Sequence, residues 1–409
     1  MAEGPIDSYL ALKERPVLDE YRSRRDRYRR LAHERGIRYE HDLVGKRTAE
    51  RLARNAIRAQ PLSNGQIHTL AFIPMIGWHS QLLSPLRSLG VLSHFDYVAR
   101  GLQLEALHRR DAEAIRKRRE VNEEFINYAR EVVQRYPVTW CFVYATGIEI
   151  LAETIHRVRE VTQAPVVGMC LDDKQSWQTR RYYGEQRAGQ IDIAASFDLA
   201  WTSARVACEW YLVEGGNPMF LPEGCSPDIF APVRTDAELD VVFVGGNYGF
   251  RSNFIRSLRR QGVLVHVAGP GWPGGQVPEA EMVRLFQLSK VVLGHGGVGW
   301  SSNIKNLKGR DFDAPCTGGG VYLTTFNPDL AEFFSIGQEI LCYSTIDEAV
   351  ELIRDLCANE VRRRQIARAA RDRCLQEHTW SARFVEILHA LGLVRRNEDQ
   401  RAWITSMKS

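Results

Sequence analysis

Short apolar runs alternate with longer amphipathic stretches from about residue 66 to residue 393. IHTLAFIP (67–74) is a continuous apolar run between polar turns, which predicts a buried strand. The loop MIGWHS and a short helix over SQLLSPLRSLG follow it. VLSHFDYVA (91–99), VTWCFVYATG (138–147) and APVVGMCLDD (164–173) predict further strands, with shorter ones at FDLAWTS (197–203) and PMFLPEG (218–224). Residues 102–135 carry Val121, Phe125, Ala129 and Val133 on one stripe, so they predict a long charged helix. IEILAETIHRVREVTQ predicts the next helix, and FAPVRTDAELD (230–240) reads as a linker.

The alternation then restarts. DVVFVGG (240–246), VLVHVAG (263–269), VVLGHGG (291–297), VYLTT (321–325) and EILCY (339–343) predict strands. RSNFIRSLRRQG (251–262), EAEMVRLFQLSK (279–290) and residues 346–376 predict helices, and HTWSARFVEILHALGL (378–393) a final amphipathic one. Strands alternating with helices imply parallel sheets covered on both faces. The expected fold class is α/β: two Rossmann-like parallel-sheet domains facing across a cleft, with a helical N-terminal extension. The expected boundaries are 1–65 for the basic extension, 66–232 and 233–380 for the two domains, and 381–409 for a helix returning to the first domain and a tail.

Composition narrows this only a little. With 409 residues, 44% hydrophobic and 25% charged, the chain can build two to three domains with sizeable cores. The formal charge of +4 is mild. MAEGPIDSYL lacks the basic start and apolar stretch of a signal peptide, and no apolar run reaches the length of a membrane span. The eight cysteines form no CxxC and lie mostly within apolar patterns, as buried thiols do in a reducing cytoplasm. A cytoplasmic protein is therefore expected. YRSRRDRYRR (21–30), with Tyr21 and Tyr28 interleaved, is either a solvated helix face or a surface for an anionic partner, a membrane or an acidic protein. No nucleic acid is expected, because the basic patch does not continue.

In a parallel α/β sheet, ligands sit at the carboxyl ends of strands, where helix N-termini favour phosphate. Gly245, Gly246 and Asn247 follow a strand and Arg251 opens a helix, which suits a phosphate or a plain βα turn. GPGWPGG (269–275) is a poor dinucleotide fingerprint, since Pro270 and Pro273 block the helix start. Its Trp272 offers a stacking face or loop packing. HGGVGW (295–300) lets a ligand approach backbone, with His295 as a polar contact or a structural residue.

KNLKGRDFDAPCTGGGVYLTT (305–325) sets Lys305, Lys308 and Arg310 ahead of Asp313, and then a glycine turn. Asp313 and Arg310 are three apart and share a helix face. A carboxylate there suits vicinal ribose hydroxyls, and the cations suit a diphosphate. A surface salt bridge of Arg310 with Asp313 is the bland alternative. Gly318 and Gly319 complete the expected donor pocket. DFD (311–313) spells the metal motif DxD, but three nearby cations would repel a metal, so neither metal nor cofactor is expected. In the first half, Gly77 and His79 lie just past a strand, Glu149 follows the ATG turn, and Asp172 and Asp173 end a strand. His79, Glu149 and Asp173 are the catalytic candidates. Glu223 lies near the linker.

Region 240–380 resembles the C-terminal half of group 1 glycosyltransferases of the GT-B fold, in the branch related to spore-maturation-type enzymes. The matching pieces include DVVFVGG, the helix-opening Arg251, VLVHVAGPGW, SKVVLGH, LKGRDFDAPCTGGGVYLTT, LAEFFSIGQEILCYSTIDE and RRRQIARAARDRCLQEHTWSARF. Weaker matches run upstream through FDLAWTS and LPEGCSPDIFAPV. The resemblance implies transfer of a sugar, with retention and without a metal, from a UDP- or other nucleotide-sugar to a glycan, lipid or small-molecule hydroxyl. It implies a donor held mainly by the second domain, with an acid at Asp313 on the ribose and nearby cations on the diphosphate. It also turns the loop at Gly77 and His79 toward the donor, and places the acceptor on the first domain. Two positions depart from the pattern: Asp313 stands where the family has Glu, and Lys305 stands where the wider superfamily has a second Glu. A catalytically silent scaffold that binds a nucleotide-sugar or glycan is the alternative.

Overall fold

The computed structural model describes residues 5–178, 180–181, 187–232, 239–299 and 301–395. Most of the expected linker (233–238) and the end of the expected tail (396–409) lie outside the described residues. The chain divides into two compact units, Arg25–Leu221 with Trp380 onward, and Pro222–Thr379 with the residues up to Arg24.

The first unit holds a six-stranded sheet. Its strands are β1 (Ile67–Phe72), β2 (Gly90–Phe95), β3 (Trp140–Tyr144), β4 (Val166–Cys170), β5 (Leu199–Thr202) and β6 (Pro218–Phe220). They run in the order β2-β1-β3-β4-β5-β6, every pairing parallel, with Thr69 opposite Trp140 and Cys141 opposite Val166. β1 and β4 are buried along their whole length, as strands covered on both faces must be. One face packs against Phe125, Ala129 and their neighbours on the helix Ala112–Arg135. The other packs against the last helix, Trp380–Ala390, whose Phe384 meets Phe142 at 5.3 Å and whose Trp380 stacks on Trp78 at 5.5 Å.

The single helix expected over 102–135 is two, Leu104–His108 and Ala112–Arg135. Arg110 takes φ 62°, and Asp111 caps the second helix by accepting from the Glu113 and Ala114 amides at 2.9 and 3.2 Å. Residues 346–376 split for the same reason. Asn359 accepts from the Arg362 amide at 3.0 Å and starts a new helix, Glu360–Glu377.

The basic N-terminal helix, Pro5–Glu34, is not simply a solvated face. Tyr28 is buried against Trp177 and Trp210. Its hydroxyl donates to Glu214 Oε1 at 2.6 Å and accepts from Trp177 Nε1 at 3.0 Å. Arg22, Arg27, Arg29 and Arg30 on the same helix are exposed. None of the described helices is long and apolar enough to cross a membrane.

The second unit holds a five-stranded parallel sheet of β7 (Leu239–Val244), β8 (Val265–Ala268), β9 (Ser289–Leu293), β10 (Val321–Thr325) and β11 (Leu341–Tyr343), ordered β8-β7-β9-β10-β11. Each sheet therefore reverses its strand order between its first and third strands. The strand expected over 291–297 ends at Leu293, and Gly297–Val298 pairs instead with Ser301–Lys305 as an antiparallel hairpin.

Glu14 of the N-terminal helix fastens this hairpin. Its Oε1 accepts from Ser301 Oγ (2.7 Å), the Ser302 and Asn303 amides (2.8 and 3.0 Å) and Asn303 Nδ2 (2.9 Å). Glu14→Ala leaves two backbone donors without their acceptor, at a cost of about 1–3 kcal/mol. Amide exchange measured over residues 297–305 is expected to quicken in that variant. Unchanged exchange would mean that the carboxylate does not hold the turn.

Candidate active site

In an open α/β sheet the ligand crevice lies where the strand order reverses, at the carboxyl edge. In the second unit this point falls between the loops after β7 and β9. The first loop begins with Gly245 and Gly246. Gly245 takes φ 153°, a conformation that favours glycine, and a Cβ there would displace the Arg310 guanidinium from its position. Gly269, after β8, packs its own missing Cβ against the Gly245 backbone.

Two arginines meet here from different helices. Arg251 opens the helix Arg251–Arg260 and donates through Nη1 to the Gly246 carbonyl at 2.8 Å. Its guanidinium lies 4.0 Å from the Tyr248 ring centre and 5.6 Å from that of Phe243. Arg310 opens the helix Arg310–Thr317 and lies 5.0 Å from the same Phe243 ring. Neither arginine forms an ion pair among the described residues. Burial and the neighbouring Arg310 charge push Arg251 down to about 10. Its Nε is buried and has no hydrogen-bond partner. Two cations held side by side without an ion-pair partner among the described residues are suited to receive an anion.

His295, after β9, is buried beside Phe254, and its Nδ1 accepts from the Gly297 amide at 3.2 Å. Burial first, and then the charges of Arg251, Lys305 and Arg310, push it down to about 3. It is therefore neutral at physiological pH. Lys305 ends the hairpin and donates to the Phe326 carbonyl at 2.8 Å, with its pKa lowered by burial. Lys308 is half-buried, and its amide donates to Asp311 Oδ2 at 2.8 Å.

Asp313 sits one turn along from Arg310. The salt bridge between them, the bland alternative, is not formed among the described residues. Instead Asp313 Oδ1 is buried with no hydrogen-bond partner. Burial, then Glu279, and more weakly Glu223 and Asp311, hold its carboxyl well above the usual range, against the pull of Arg310. Asp311, the other acid of DFD, accepts from the Tyr322 hydroxyl (2.6 Å) and the Lys308 amide, so its oxygens serve the fold. Among the described residues no group of three or more His, Cys, Asp or Glu could hold a metal ion.

Several expected donor residues do other work. Trp272 packs on Phe243 and donates through Nε1 to the Gly245 carbonyl at 2.8 Å, fastening two loops together. Asn247 bridges the same loops through the Gly271 carbonyl and the Ser252 hydroxyl. Gly318 and Gly319 lie outside the cationic cluster, contrary to the expectation. They precede β10, so they lie at the amino edge of the sheet, opposite the carboxyl edge where ligands bind. Gly318 takes φ 64° to end the helix against Arg371, and Gly319 lets Gln287 approach. An αβ turn and a βα turn look alike as glycine-rich stretches, but they lie on opposite edges.

The first unit has its own crevice at its reversal point, a cavity of 340 Å³. His79 and Glu149 line it. Gly77 takes φ 56°, turning the chain so that His79 sits 4.8 Å from the Tyr144 ring with Nδ1 bonded to the Ile76 carbonyl. Burial pushes His79 down to about 4. Glu149 Oε2 accepts from the Thr146 amide and hydroxyl, both at 2.7 Å. Asp173 does not line the cavity. It is fully buried, bonded to the Thr202 and Tyr211 hydroxyls, and burial pushes it up to about 7. Its neighbour Asp172 is exposed and lines the cavity.

Residues 251–389 match the model of a glycosyl transferase-like family. Among solved structures, sucrose-phosphate synthase from Thermosynechococcus elongatus aligns with TM-score 0.55 and 11% identity over 79% of this chain and 98% of its own. HepE from Anabaena, solved with UDP and glucose, aligns with TM-score 0.54 and 11% identity over 80% of this chain and 100% of its own. An α,α-trehalose 6-phosphate synthase from Burkholderia multivorans gives TM-score 0.50 and 12% identity over 85% and 100%. No curated protein sequence matches the chain.

The fold is of the GT-B type. The family match opens at Arg251 and includes Arg310 and Asp313. Within this GT-B chain, sequence reasoning missed the roles of Phe243, Tyr248 and Glu14. The aromatic rings read as strand and loop apolar residues, and Glu14 lies 287 positions from Ser301, beyond the reach of any local pattern.

Proposed function

We propose that the chain transfers a sugar from a nucleotide diphosphate sugar, a UDP-sugar, to an acceptor hydroxyl. The observation that carries the reading is the Arg251–Arg310 pair, two cations with no ion-pair partner among the described residues, at the reversal point of a glycosyl transferase-like segment. The β-phosphate of the leaving nucleotide gains negative charge as the glycosidic bond breaks. Cations already in place stabilise that charge without reorganising. They do there what a divalent metal does in other transferases, so the reaction is proposed to be metal-independent. Asp313 would accept from the ribose hydroxyls, and its unpartnered Oδ1 supports this. Lys305 and Lys308 would add to the field, and His295 would offer a neutral contact. Retention at the anomeric carbon and the spore-maturation-type branch rest on the motif order in 240–380.

The first unit would bind the acceptor in its 340 Å³ cavity, with His79 and Glu149 beside it. The exposed arginines of the N-terminal helix are proposed as a contact for an anionic membrane or acidic protein surface. Lys305, in place of a second Glu, favours the silent scaffold as the competing reading. Melting the protein with UDP, GDP, ADP and dTDP separates nucleotide binding from its absence, because a ligand of the native state raises stability by about 2.7 kcal/mol at 100 times its Kd. UDP is expected to raise the melting temperature most. No shift with any diphosphate would end the proposal, and UDP-sugar turnover would end the scaffold reading.

A further inference from the structure

We propose that the acceptor is a small hydroxyl compound with an apolar or aromatic face and without a phosphate or carboxylate. The inference rests on the reading of the first-unit cavity as the acceptor site. The cavity lies at the carboxyl edge between the loops after β1, β3 and β4, and among the described residues no Lys or Arg lines it. Its acids are Asp172, which is exposed, and Glu149, which is buried. His79 brings no charge, because burial holds it neutral. Apart from the exposed His108, the described part of the cavity wall is therefore acidic or neutral. An anion placed there would lose water and gain no Lys or Arg partner among the described residues, which is unfavourable.

Much of the remaining surface is apolar and aromatic, with Thr146, Gln175 and Ser176 among it. Tyr97, Tyr144, Leu104, Ile148 and Met169 line the cavity. The Tyr97 hydroxyl donates to the Tyr144 carbonyl at 3.2 Å. Ile76, also in the lining, and Met75 beside it are 40% and 41% exposed, an apolar pair on the loop that carries His79. A volume of 340 Å³ is at the small end of ligand sites, about 300–1,000 Å³. Solved structures of the same fold include enzymes named as sucrose-phosphate and trehalose 6-phosphate synthases. A wall with no Lys or Arg among the described residues sets this chain apart from a phosphorylated acceptor.

The test uses two probes that differ by one group, phenyl β-glucoside and its 6-phosphate. Each is titrated against the full chain without nucleotide and followed by saturation-transfer NMR. The neutral glucoside is expected to bind at least about tenfold more tightly than the phosphate, a difference of about 1.4 kcal/mol. Ile76→Asp should weaken the glucoside, and Gln175→Arg, at an exposed lining position, should narrow or invert the gap. Equal or tighter binding of the 6-phosphate to the native chain overturns the inference. So does the absence of glucoside binding up to about 20 mM, which corresponds to roughly 2 kcal/mol of affinity. Glucoside binding with no response to UDP would instead remove the donor reading and leave this one standing.

Discussion

Arg310→Ala is expected to lower the affinity for UDP by about 100-fold, the loss of one or two charge-assisted hydrogen bonds at ~1.5–3 kcal/mol each. The ligand-free variant is expected to melt no lower than the parent. Arg310 packs on Phe243 without an ion-pair partner among the described residues, and its charge disfavours that of Arg251. Removing it relieves repulsion in the empty site. A residue that mattered only for folding would behave in the opposite way, with lower stability and unchanged affinity. Arg310→Lys should recover part of the affinity, because a point charge replaces a two-pronged donor. Calorimetric titration of UDP, together with melting of the apo forms, reads both effects. An unchanged UDP affinity would remove Arg310 from the diphosphate site.

Asp313→Asn is expected to weaken uridine nucleotides about tenfold while leaving inorganic pyrophosphate binding nearly intact, because the side chain is assigned to the ribose. Equal losses for UDP and pyrophosphate would move Asp313 from the ribose to a general electrostatic role. The same substitution tests the electrostatics of the empty site. Burial raises the Asp313 carboxyl well above its unfolded value of about 3.9. Between those two values the folded state binds more protons than the unfolded state, so this group makes stability fall as pH rises. Asn removes that slope. Its melting temperature should therefore gain most over the parent at pH 8 and least at pH 5. A constant difference across that range would show that Asp313 ionises freely.

Much of the architecture was readable from periodicity. VYLTT appears as β10 with its expected ends, and the apolar runs at 67–74 and 138–147 became β1 and β3. The breaks at Asp111 and Asn359 were harder, because a polar residue inside a helical stripe becomes a cap only when its side chain turns back to the following amides. The hairpin at 297–305 was missed because its two short strands carry glycine and serine, without an alternating apolar face.

The candidate site divides along the same line. Local order placed Arg251 and Arg310 at helix starts and Asp313 one turn on, since those relations depend on three or four neighbouring residues. Gly318 looked like a ligand turn until the strand direction placed it at the wrong edge, and Asp173 looked catalytic until Tyr211 and Thr202 enclosed it. The amino-acid sequence by itself determined the strand–helix alternation and the chemistry at each strand end. Only the tertiary structure decided which strand ends converge, because parallel pairing brings β7 beside β9 across some 50 intervening residues. That convergence sets two separate arginines against one Phe243 ring.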